Sequence, residues 1–200
     1  MRLASLASLG PIDALAPARF GGAFRWLLGS AIVANLGDGI ALAAGPLLVA
    51  SLTRDPFLVS LAVLAEQLPV LLFGLLAGAT ADRMDRQRVV VTVNLGRAVV
   101  LAILAVTIAT RTVSIAIVLA ALFVLGSAET FSNVSTSSML PRLVPRTDLG
   151  IANARIQGAF LLTNQLVGPP IGAFLFAIGM ALPFVADASG FALGAVLVSR

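Results

Sequence analysis

Nine acidic and 13 basic residues are the whole ionisable inventory of this 200-residue sequence, with no histidine and no cysteine. Every basic residue is an arginine. That set excludes several chemistries. A P-loop needs its lysine, a Ser-His-Asp triad its histidine, and a zinc hydrolase its histidine or cysteine ligands. No nucleophile stands beside a general base, so the chain is read as no enzyme, with no cofactor and no metal site. What remains is proton and ion-pair chemistry by a few charged groups set in long apolar runs. Asp38, Glu66 and Arg97 are the foremost of these. A charged group at the centre of a bilayer costs about 2.5–3.5 kcal/mol on insertion scales, so such residues mark pathways or fixed pairs. A carboxylate whose burial or arginine partner changes can take up and release a proton. Asp38 or Glu66 is therefore a candidate proton carrier. The alternative is that one of them pairs permanently with Arg97 and fixes the helix arrangement. Glu129 and Arg155 read as an ion pair near one membrane face, and Asp187 as lying near the outer end of the last span.

The elements that position these groups follow from composition and run length. The chain is 59% hydrophobic and 11% charged, with a mean hydropathy of +1.05. A soluble domain has roughly 45–50% apolar and about 25% charged residues. The apolar blocks are near the ~20 residues that cross a ~30 Å hydrocarbon core. Six such spans are expected, at 26–50, 57–81, 89–110, 113–131, 149–178 and 182–198, making an all-α membrane protein. Residues 1–22 read as a cytoplasmic tail without a signal-peptide core, and 23–200 as a transmembrane bundle. The segment 132–138, rich in serine, reads as a helix end and loop.

The arginines set an orientation. Nine of them (Arg2, Arg19, Arg25, Arg83, Arg86, Arg88, Arg142, Arg146 and Arg200) fall on the side of the N-terminus if six spans are drawn, against Arg54 and Arg111 on the other. A positive-inside bias of this size places both termini in the cytoplasm. It also explains the net charge of +4 without nucleic acid as a partner. Gly74-xxx-Gly78 and Gly168-xxx-Gly172 have the spacing that lets helices approach closely. Pro46, Pro69, Pro169 and Pro170 are expected to interrupt the helical ladder where spans bend. Asn35, Gln67, Asn94, Asn164 and Gln165 read first as interhelical hydrogen-bonding groups.

The run from Gly78 to Arg88, Gly-Ala-Thr-Ala-Asp-Arg-Met-Asp-Arg-Gln-Arg, resembles the loop signature of major facilitator transporters. The general form of that signature has glycine at the place of Asp85. An aspartate there is similar to the branch of enterobactin-type siderophore exporters and macrolide efflux proteins. The resemblance extends through Leu36-Gly37-Asp38-Gly39, Leu95-Gly96-Arg97-Ala98, Leu140 to Pro145, Ala152-Asn153-Ala154 and Val167 to Pro170, in order along the chain. It implies a six-helix bundle forming the N-terminal half of a twelve-helix transporter in a bacterial inner membrane. It also implies proton-coupled efflux of a drug-like or siderophore-like molecule. The expected partners are the lipid bilayer, protons, a small-molecule substrate, and a C-terminal six-helix half or a second chain. A non-transporting half-length protein that packs against another chain is the alternative. The resemblance further implies a cytoplasmic gate built from Gly78, Asp82, Arg83, Asp85, Arg86 and Arg88, with Asp82 helping to hold the inward side closed.

Overall fold

The computed structural model describes residues 20–83 and 86–199, with the side chains of residues 80–87, 138, 142 and 197–200 left out. The residues of the expected cytoplasmic tail up to position 19, together with Met84, Asp85 and Arg200, lie outside the described set. The described residues form helices α1 (Gly21–Leu52), α2 (Pro56–Arg83), α3 (Arg86–Ala109) and α4 (Ile115–Leu143), then α5 (Leu149–Phe160), α6 (Gly168–Ile178) and α7 (Leu182–Ser199). A π-helical stretch, Leu161–Val167, joins α5 to α6, so the three pieces make one long rod.

Local chemistry accounts for the ends. Pro56 opens α2, where its missing N–H costs nothing, and Asp55 Oδ1 accepts the N–H of Phe57 at 2.9 Å. Ser114 Oγ accepts from Ile117 N at the start of α4, a serine N-cap. Between α3 and α4, Arg111 takes φ = 58°, and Thr112 N–H returns to the Thr107 carbonyl at 2.9 Å. That is the left-handed helix ending usually given to glycine.

Prolines act differently by position. α1 and α2 run on through Pro46 and Pro69 as single helices. At Pro169 and Pro170 two successive N–H groups are missing, and each ring crowds the carbonyl four residues earlier. The chain widens in the preceding turn instead of breaking: Gly168 N–H bonds to Thr163 O, five residues back. π-turns of this kind re-aim side chains. Here Asn164 is turned inward and buried.

Five of the resulting rods are long and apolar enough to cross a bilayer, and α7, apolar over Leu182–Val196, is shorter. The expected fourth span is corrected: α4 continues to Leu143, so the serine-rich segment 132–138 is helix and not loop. The reason is that Ser, Thr and Asn inside a membrane helix lose little when they face a polar cavity or bond to the preceding turn. Thr130 does the latter, to Gly126 O at 2.9 Å.

α1 is the central rod, touching α2, α4, α5, α6, α7 and the π stretch; α2 packs on α4, and α3 on both α4 and α7. In the apolar window of α1 56% of residues are buried, against 11% for α2, which leaves most of α2 facing outward. Two apolar clusters close the ends. One gathers Leu48 and Val49 of α1 with Leu101 and Leu104 of α3, Leu122 of α4, and Phe184 and Phe191 of α7. The other joins Phe20, Phe24 and Leu28 to Leu140, Val144 and Ala152 at the opposite end. Between them lies a polar layer.

Candidate functional site

The polar layer exists because glycine lets helices meet there. A Cβ on Gly39 would come within 2.5 Å of the Asn164 carbonyl oxygen, one on Gly168 within 2.6 Å of Gly39 Cα, and one on Gly172 within 2.4 Å of the Ile40 carbonyl oxygen. The Gly168-xxx-Gly172 expectation is met: α1 and the π/α6 segment cross backbone to backbone. Gly74 and Gly78 have nothing within 4 Å of a built Cβ, so that pair does no packing among the described residues.

Beside this crossing Asp38 projects from α1 and Arg97 from α3, at 5% and 4% exposure. The arginine donates both terminal nitrogens to the two carboxylate oxygens, with Nη2 on Oδ1 and Nη1 on Oδ2. Its guanidinium carbon also stands 3.9 Å from the centroid of the Phe191 ring of α7. Fork, carboxylate and aromatic face together suit arginine and no other cation. A lone charge here would meet a large desolvation cost, which mutual neutralisation and good geometry offset.

The pair forms one wall of a cavity of about 260 Å³. Ser30, Ala34 and Asn35 of α1, Val90 and Asn94 of α3, Ser132, Asn133 and Thr136 of α4, and Gln157 and Phe160 of α5 line it. These positions all lie toward the end of the bundle that carries the α2–α3 and α4–α5 connections. Two buried groups at its edge lack hydrogen-bond partners, Asn94 Oδ1 and Arg97 Nε. A wall with a neutralised charge pair, amides, hydroxyls and one aromatic face can hold a small molecule that is part polar and part apolar.

Glu66 is not in this cavity. It lines a second one of about 150 Å³ with Gln67, Gly126, Glu129, Thr130 and Asn133, between α2 and α4. Gly126 brings α4 against the Glu66 backbone, and Asn133 Nδ2 donates to Glu129 Oε1 at 3.4 Å. Of the three expected site residues, the fold thus joins Asp38 to Arg97 and places Glu66 apart. Glu129 shares the cavity of Glu66, and Arg155 lines neither cavity.

Of the expected gate residues, Gly78 is half-buried on α2, and Asp82, Arg83, Arg86 and Arg88 fall on the ends of α2 and α3. Asp85 lies outside the described residues, as do the side chains of Asp82, Arg83 and Arg86. Sequence reasoning missed Asp187. It is 2% exposed, near the start of α7, with Oδ1 against Gly37. A signal was there to use: Phe184, Asp187 and Phe191 recur at i, i+3 and i+7 on one helical face.

Comparison with known proteins gives a consistent placement. The profile of the Major Facilitator Superfamily matches residues 27–200. The multidrug efflux pump Tap of Mycolicibacterium fortuitum is 32% identical over 157 residues, covering 76% of this chain and 38% of that protein. An uncharacterised MFS-type transporter of Mycobacterium bovis is 30% identical over 176 residues, covering 86% of this chain and 38% of its own length. A protein of the same description in Mycobacterium tuberculosis matches equally. The chain thus spans well under half the length of these relatives. No solved structure matches it.

Proposed function

Since the chain belongs to the major facilitator superfamily, we propose that its helices form the N-terminal six-helix half of a proton-coupled exporter of small amphipathic molecules. The buried Asp38–Arg97 pair on the wall of a polar cavity carries this reading. An ion pair placed there can be opened by protonating the carboxylate. Opening frees the arginine and loosens α1 from α3, which couples one proton to a rearrangement of the cavity wall. Glu66, in its separate cavity, is the second carboxylate of the proton pathway. The efflux role follows the relative named as a multidrug efflux pump. Both termini are cytoplasmic in this reading, on the positive-inside asymmetry of the arginines. Asp82 and the arginines of the α2–α3 connection then form the inward latch, and the cavity beside Asp38 lies on the latch side.

The test is ethidium efflux from bacterial cells that make the full-length protein. Asp38→Asn is expected to lower protonophore-sensitive efflux at least about tenfold, a barrier change of about 1.4 kcal/mol, with the protein still present in the membrane. Efflux at the unaltered rate by Asp38→Asn, with Glu66→Gln equally active, would sink the proposal.

A further inference from the structure

Arg97 has two carboxylates at hand and is bonded to one. Asp187 of α7 is buried as deeply as Asp38, interacts electrostatically with Arg97, and leaves Oδ1 without a hydrogen-bond partner. On the arginine, Nε is the matching buried donor without an acceptor. Buried polar atoms are almost always satisfied, so an unsatisfied donor and acceptor on neighbouring side chains are a pair waiting for a second arrangement. The route between arrangements is short. The guanidinium already lies over Phe191, and Asp187 sits one helical turn earlier on the same face of α7. On the other side, Gly37 brings α1 so close that a Cβ there would overlap Asp187 Oδ1. Consecutive residues of α1 therefore touch the two ends of the same charge system: Gly37 holds Asp187, and Asp38 holds Arg97.

We infer that Asp187 is the alternate partner of Arg97, and that the guanidinium passes between Asp38 on α1 and Asp187 on α7. Two carboxyls and one guanidinium are neutral together when a single proton sits on whichever carboxyl lacks the arginine. Both arrangements then avoid a net buried charge, and the interior never holds an unpaired one. The exchange moves one N–H···O fork from α1 to α7, and the proton goes the opposite way, from the Asp187 carboxyl to the Asp38 carboxylate. Glu66 and Glu129 act on the same triad from α2 and α4. They are held constant in the test. Use of the exchange in transport rests on the proton-coupled reading above; the sharing of Arg97 does not.

A mutant cycle on thermal unfolding of the full-length protein in detergent separates the two. Asp38→Asn and Asp187→Asn each leave Arg97 one carboxylate, so each lowers Tm slightly. The double variant strands the guanidinium, and its loss is expected to exceed the sum of the singles by about 4 °C. Adding Arg97→Met to the double variant should return most of that loss. A double-variant loss equal to or smaller than the sum overturns the inference. So does a triple variant no more stable than the double. Neither measurement uses substrate, so failure of the exporter reading leaves both interpretable.

Discussion

At the scale of single residues, the polar layer turns on one arginine serving two partners, Asp38 and Phe191. The fork on Asp38 and the stack on Phe191 both depend on the flat, delocalised guanidinium. Lysine keeps the charge and loses both geometries. Arg97→Lys is therefore expected to behave as a loss of the pair, with a fall in Tm of about 4–8 °C for about 2 kcal/mol and an ethidium efflux rate near that of Asp38→Asn. A lysine variant with unaltered efflux and Tm would show that charge alone suffices. The pairing itself was only half visible beforehand. Asp38 and Arg97 stand out in the sequence as charges in apolar runs, and the sequence allows a permanent pair and a proton carrier alike. Which carboxylate meets the arginine depends on how α1, α2, α3 and α7 are arranged around one another, and no spacing along the chain contains that.

At the scale of elements, small residues decide which rods touch. Two glycine pairs have the same spacing in the sequence and opposite fates. Gly168 packs on the backbone of Gly39 and Gly172 on that of Ile40, while Gly74 faces open space. A methyl added at Gly39 or Gly172 must push two helices apart, so Gly39→Ala and Gly172→Ala are expected to lose about 1–3 kcal/mol through overpacking. Gly74→Ala should change stability by no more than about 0.5–1 kcal/mol, and in the direction of gain, since alanine is the better helix former. Unfolding temperatures of the three variants in one detergent would check the contrast; equal shifts at Gly39 and Gly74 would contradict the crossing described here. The π stretch belongs to the same scale. Pro169 and Pro170 mark an interruption in the sequence, but that it takes the form of a widened turn laying the Asn164 backbone against Gly39 is a result of packing. The extension of α4 past residue 131 is the clearest correction. A hydropathy window stops where serines begin, whereas a helix stops only where its backbone bonds find better partners.

At the scale of the whole molecule, the apolar clusters at the two ends hold a polar layer between them, and the cavity beside Asp38 and Arg97 lies toward the end that carries the α2–α3 and α4–α5 connections. If that end is cytoplasmic, a cysteine placed by Ser132→Cys is reached by an impermeant maleimide from the cytoplasmic side. Arg54→Cys is then reached only from the outside. The chain has no cysteine of its own within these 200 residues to interfere. The latch reading adds that Asp82→Asn raises the labelling rate at position 132 about tenfold, the equivalent of a gate equilibrium shifted by about 1.4 kcal/mol. Labelling of both positions from the same side would reject the proposed topology, and an unchanged rate with Asp82→Asn would reject the latch.

The class of this protein was determined by sequence alone. Membrane-length apolar rods, arginines gathered at their ends and the ordered motifs from Leu36 to Pro170 each depend on local composition or short-range order, which survive without a fold. The tertiary structure alone decided that Asp38 and not Glu66 holds Arg97, that Asp187 is buried, and that Ser132 and Ser137 of α4 line a cavity. Those facts depend on which faces of separate helices meet. In a bilayer that choice is made by close backbone approach at a few glycines and by the need to neutralise each buried charge, and both are properties of pairs of helices rather than of any one stretch of chain.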